Sequence, residues 1–123
     1  MFVIDKDYSR EDIHAICGGN KQSFLPTHNG KVVAACLKPE RNPRAPDVVL
    51  CSTSAASRAA GRTLARQSGA IPVFLGRGND RWRYVGQFAV AASLTTPPDC
   101  APHIAGSGFT IGQISRVIKL RRC

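Results

Sequence analysis

Apolar and polar positions alternate most clearly over residues 71–90, IPVFLGRGNDRWRYVGQFAV. Ile71, Val73 and Leu75 alternate with Pro72, Phe74 and Gly76. The run then breaks at Gly76-Arg77-Gly78-Asn79-Asp80, residue types that tolerate the positive φ of a hairpin loop. A two-residue period resumes at once, placing Trp82, Tyr84, Gly86, Phe88 and Val90 on one face and Arg81, Arg83, Val85, Gln87 and Ala89 on the other. The pattern predicts a β-hairpin with one apolar, aromatic face and one partly cationic face.

Elsewhere the pattern predicts short elements. Ser9 is a helix cap with Asp12 three residues on; Ile13, Ile16 and Cys17 form the buried side of a short helix, and Gly18-Gly19 ends it. Asn29-Gly30 is a turn into a strand over residues 31–37, whose apolar run implies burial on both faces. Residues 38–46, KPERNPRAP, hold three prolines and form a connecting loop that delivers Asp47 to a strand over 48–51. Residues 52–68 are alanine-rich, with caps available at Ser52, Thr53 or Ser54, and predict a helix despite Gly61. Residues 95–108 read as a Pro/Gly/Ser loop, and 114–120 as a last strand. About five strands with two short helices indicate an α+β domain built on a small twisted sheet or barrel.

Length and charge sharpen this. A chain of 123 residues makes a single domain able to bury its own core. Seventeen Lys and Arg against eight Asp and Glu give a net charge of +9, a field that suits a polyanionic partner. Arg58, Arg62 and Arg66 recur every four residues along one stripe of the second helix, with no acid between Val48 and Asn79. Such a stripe is either a solvated face or a phosphate contact. The five cysteines are odd in number and widely spaced, and read as reduced thiols. With a charged opening and no long apolar run, neither export nor membrane insertion is expected, and the expected compartment is the cytoplasm.

Catalytic patterns are scarce. His14, His28 and His103 are scattered without the spacing of a metal site, and G-x-S-x-G and both phosphate-binding glycine fingerprints are missing. No cofactor or metal is expected. Cys51 with His28, or Ser52, is the one arrangement that a small hydrolase or transferase could use.

Four ordered blocks carry a resemblance: GGNKQSFLP (18–26), KPERNPRAPDVVL (38–50), IPVFLGRGNDRWRYVGQF (71–88) and SRVIKLRR (115–122). Together they resemble the amino-terminal reader domains of bacterial HNH-type, modification-dependent restriction endonucleases, members of the PUA-like superfamily with the SRA, EVE and YTH domains. The resemblance spans residues 9–122; the chain carries no HNH motif. It implies a PUA-like curved β-barrel with helices at its side, and a partner of double-stranded DNA carrying a methylated base, with an HNH nuclease acting in cis or trans. Relatives flip a nucleotide into a pocket near the barrel mouth, at a cost in stacking that phosphate, aromatic and base-edge contacts must offset. The similarity favours N6-methyladenine, with 5-methylcytosine second. An RNA-binding PUA-like module is the alternative.

The same resemblance suggests roles. Trp82 and Tyr84 are walls of an aromatic cage or plain core; Asp47 and Asn42 touch the base or cap their loop. Gly19, Asn20, Lys21, Gln22 and Ser23 form the loop that enters the DNA, Gln22 taking the vacated base position. Lys38, Arg41, Arg44, Arg58, Arg62, Arg77, Arg81 and Arg83, with Lys21, are the phosphate contacts. Ala55-Ala56-Ser57-Arg58-Ala59-Ala60 stands where a bulky helix is expected, so a cage wall from there is missing.

Overall fold

The computed structural model describes residues 1–123. In chain order the elements are β1 (Asp7–Tyr8), α1 (Arg10–Cys17), β2 (Thr27–His28), β3 (Lys31–Val32), β4 (Ala35–Leu37), β5 (Val48–Ser52), α2 (Ala55–Ala65), β6 (Ile71–Gly76), β7 (Trp82–Leu94), α3 (Pro97–Cys100) and β8 (Ile114–Arg122). The helix starts obey the expected chemistry. Ser9 accepts from the Asp12 amide while the Asp12 carboxylate accepts from the Ser9 amide, a closed capping box, and Ser54 accepts from the Ser57 amide to cap α2.

The main sheet runs β4-β6-β7-β8-β5, with β1 added against β7; β4 and β6 are parallel and the other pairs antiparallel. β4 and β5 are thus its two edges. They are consecutive in the chain, joined by residues 38–47, so the sheet must curl to bring them back together. The curl originates in β7, 13 residues long and bulged twice. Val73 pairs with Gly86 and Phe74 with Tyr84, leaving Val85 as an extra residue; further on, Val90 pairs with Leu120 and Ala92 with Lys119, leaving Ala91 extra. Gly86 takes φ +126° in the first bulge, a conformation side chains rarely adopt. The result is a half-barrel open between β4 and β5, the α+β, PUA-like architecture expected from the sequence.

The first bulge corrects the single-face reading of β7. Trp82 and Tyr84 share a cluster with Ile13 of α1, Cys36 and Phe74, whereas Phe88 packs with Val73, Ile118, Leu37 and Leu64 of α2. An inserted residue moves the side-chain alternation by one, so the strand presents its aromatics to α1 at one end and to α2 at the other. A third cluster, Val48, Leu50, Cys100 and Val117, lies under α3.

Three other expectations change. The strand over 31–37 is broken at Val33 and Ala34, because the Val33 and Cys36 amides donate to the carbonyls of Pro26 and Phe24 while Gln67 bonds both backbone groups of Val32. Residues 95–108 hold α3 and a 3-10 turn. Ile16 is half exposed, and Ile13, with partly buried Cys17 beside it, anchors α1 in the core. All five cysteines are free thiols.

Candidate nucleic-acid interface

A cleft of about 870 Å³ opens at the seam between the edge strands. Cys36 and Leu50, which point away from the main core cluster, contribute to its floor with Ser52. One wall is the loop after α1, from Asn20 to Phe24. A second is the β6–β7 turn with Trp82, and a third is the β4–β5 loop with Lys38, Arg41 and Asn42, backed by Phe109. Ala56 and Ser57 bring the first turn of α2 to the rim.

Arg10 joins two of these walls. Its Nη2 donates to the carbonyls of Asn20 (3.0 Å) and Ser23 (2.9 Å), while its guanidinium carbon lies 5.5 Å from the centre of the Trp82 ring. The Asn20 carboxamide oxygen accepts from the Gln22 and Ser23 amides, folding the loop into a tight turn. Asp80, held at φ +55°, accepts from both the Arg10 amide (3.1 Å) and Trp82 Nε1 (3.2 Å). Gly76 gives the ring room: a Cβ there would stand 3.1 Å from Trp82 Cζ3. Trp82 is therefore a fixed cleft wall, 9% exposed.

Asn42 is 5% exposed, and its Oδ1 accepts from the Leu50 amide at 2.9 Å, which assigns the amide orientation. Its Nδ2 has no protein partner and is not sealed from solvent, so a free donor faces the cleft. Arg10 Nη1 is in the same position. Lys38, Arg41 and Arg81 surround these donors with no carboxylate in ion-pairing range; Arg41 lies over the Phe109 ring at 4.9 Å. The acids of the cleft are Glu40 and Asp80.

Of the predicted site residues, the cleft gathers Trp82, Asn42, Asn20, Lys21, Gln22, Ser23, Lys38, Arg41 and Arg81. It does not include Tyr84, which is buried among Phe2, Phe74 and Trp82, its hydroxyl accepting from Gln87. Asp47 is exposed at the start of β5 outside the cleft, with its carbonyl accepting from the Leu120 amide. Gly19 lies at the root of the loop, its carbonyl 2.6 Å from His14 Nδ1. Arg83 is paired with Asp7 at 3.0 Å and Lys21 with Glu11 at 2.6 Å. Arg44 reaches His103, Arg58 donates to the Thr53 carbonyl, and Arg62 and Arg77 are exposed away from the lining. Sequence reading missed Arg10, whose place at the first turn of a helix looks solvated, and Phe109, which sits in a loop without periodicity.

Burial withdraws the Cys36 and Cys51 thiols from nucleophilic chemistry. Cys51 is fully buried against Gly61 of α2, and burial pushes its pKa up to about 12; Cys36 is likewise pushed up to about 12 although the Arg10 charge opposes the rise. His28 is exposed on the β2–β3 hairpin. The Cys51–His28 reading therefore fails on protonation and exposure. No three His, Cys, Asp or Glu residues gather as a metal site, and no helix is long and apolar enough to cross a membrane.

Comparison with solved structures places the fold. The chain superposes on the SRA domain of SUVH5, determined in complex with hemimethylated CG DNA, with a TM-score of 0.64 and 14% identity, covering 100% of this chain and 90% of that one. No curated protein matches the sequence. Residues 7–98 match the family described as Domain of unknown function (DUF6697). That match takes in every wall of the cleft except Phe109, and the chain belongs to the DUF6697 family, on an SRA-like fold.

Proposed function

We propose that this domain reads methylated DNA by taking one flipped nucleotide into the seam cleft. The observation that carries the reading is the convergence there of a fixed aromatic wall, Trp82, with two unpartnered donors, Arg10 Nη1 and Asn42 Nδ2, inside a ring of free cations. Flipping costs a few kcal/mol of stacking and pairing. The cations Lys38, Arg41 and Arg81 supply phosphate attraction, Trp82 and Phe109 supply apolar contact, and Asn42 Nδ2 faces an acceptor on a base edge. Gln22, on the Arg10-clamped loop, is the residue that fills the gap left in the duplex.

N6-methyladenine is the mark favoured by the sequence resemblance. Methylated cytosine is the second reading, because the neighbouring SRA structure holds hemimethylated CG DNA. In this reading the domain recognises, and cutting belongs to an HNH nuclease in cis or in trans. The test is a duplex carrying 2-aminopurine opposite or beside the mark. Flipping on binding raises its fluorescence for a marked duplex and not for an unmarked one; bound DNA that stays fully stacked overturns the proposal.

A further inference from the structure

We propose that Arg10 forms an anion subsite in the cleft, taking a phosphate group of the bound nucleotide. Arg10 is nine-tenths buried, yet no carboxylate lies within ion-pairing distance of its guanidinium: the two ion pairs of the structure are Lys21–Glu11 and Arg83–Asp7. Asp80, the nearest acid by contact, spends one oxygen on the Arg10 amide and Trp82 Nε1. Only Nη2 is satisfied, by two carbonyls; Nε is buried with no partner, and Nη1 is unbonded but open to the cleft.

A charge removed from water without a counter-charge is costly, and most proteins pair it. Here the two carbonyls and the Trp82 ring fix the guanidinium plane without neutralising it. A planar, always-charged fork of this kind suits phosphate oxygens better than a neutral base edge, and a phosphate would supply the missing charge. Arg10 also holds Asn20 and Ser23, so an anion on Nη1 and the reading loop share one side chain. The inference deepens the proposed function by assigning the subsite a nucleotide phosphate, and it requires no methyl mark.

Trp82 is the only tryptophan and stands beside Arg10, so its fluorescence reports occupancy. The full chain is titrated with deoxyadenosine 5′-monophosphate, with deoxyadenosine, and with inorganic phosphate. A charge-assisted hydrogen-bond contact predicts about ten- to a hundredfold tighter binding of the nucleotide than of the nucleoside. Arg10→Gln brings that ratio near one, whereas Arg121→Gln, at an exposed position of β8 outside the cleft, leaves it unchanged. Should Arg10→Gln not fold, the Arg10 Nε–H resonance of the unmodified protein shifts with nucleotide and not with nucleoside. Equal binding of the two ligands, or a ratio that survives Arg10→Gln, overturns the proposal. Loss of methyl discrimination with the ratio intact would instead count against the methyl-reading function alone.

Discussion

Asn42 allows a folding role and the proposed recognition role to be tested on one side chain. Its Oδ1 satisfies the amide of Leu50, a residue only 4% exposed, and its Nδ2 faces the cleft. Asn42→Ala removes the acceptor and leaves a buried N–H without a partner, which costs about 1–3 kcal/mol. For a domain of this size that lowers the melting temperature by roughly 4 °C per kcal/mol. Asn42→Asp keeps an oxygen in the same place for the Leu50 amide and removes the Nδ2 donor. Its ionised carboxylate only accepts, so it can still take the Leu50 amide but offers the cleft no donor. Both variants lose the cleft donor, worth about 0.5–1.5 kcal/mol in binding to a marked duplex. Thermal melts and duplex titrations on the two proteins check this. An alanine variant as stable as the parent would refute the capping role. An aspartate variant that binds marked DNA as the parent does would refute the recognition role.

Other perturbations follow from the same geometry. Converting Arg58, Arg62 and Arg66 to Gln, three exposed cations on one stripe of α2, should flatten the dependence of log affinity on log salt by up to about 2.7, at about 0.9 per phosphate contact, while leaving preference among duplexes unchanged. Gly76→Val should displace the Trp82 ring, visible as a shifted emission maximum and weakened DNA binding in a protein that still melts cooperatively; an unchanged spectrum would contradict the close approach. A thiol reagent at neutral pH should modify exposed Cys123 quickly, partly buried Cys17 slowly, and Cys36, Cys51 and Cys100 only on unfolding. Because the folded Cys36 and Cys51 thiols titrate near 12 rather than 9.0, the unfolded chain releases their protons first. Their contribution is fully present below pH 9.0 and is lost as pH rises toward 12, so Cys51→Ala should reduce the alkaline loss of stability measured by denaturant melts.

Local chemistry was legible where one residue type decides the backbone. The capping box at Ser9 and Asp12, the turn at Gly78, Asn79 and Asp80, and the strands of the central hairpin all follow from propensity and period. The bulge at Val85 was not legible, because an extra residue in a ladder is specified by the partner strand rather than by the strand itself. That one residue decides why Tyr84 faces α1 and Phe88 faces α2. That residues 20–23 and Trp82 would line one cleft was legible because glycines, polar residues and a lone tryptophan stand out. Arg10 was not, since what makes it unusual is burial without a partner, a property created by the approach of residues 20–23 and 80–82. Arg83 shows the converse: its charge was counted for DNA, but β1 lays Asp7 beside it.

The most direct test compares binding to three otherwise identical duplexes at one fixed salt concentration: unmodified, N6-methyladenine-marked and hemimethylated at cytosine. The account predicts that one marked duplex binds at least tenfold tighter than the unmodified one, about 1.4 kcal/mol, and that the preference persists as salt is raised. Equal affinities for all three, falling together with salt, would contradict it and leave a protein that grips only the phosphate backbone.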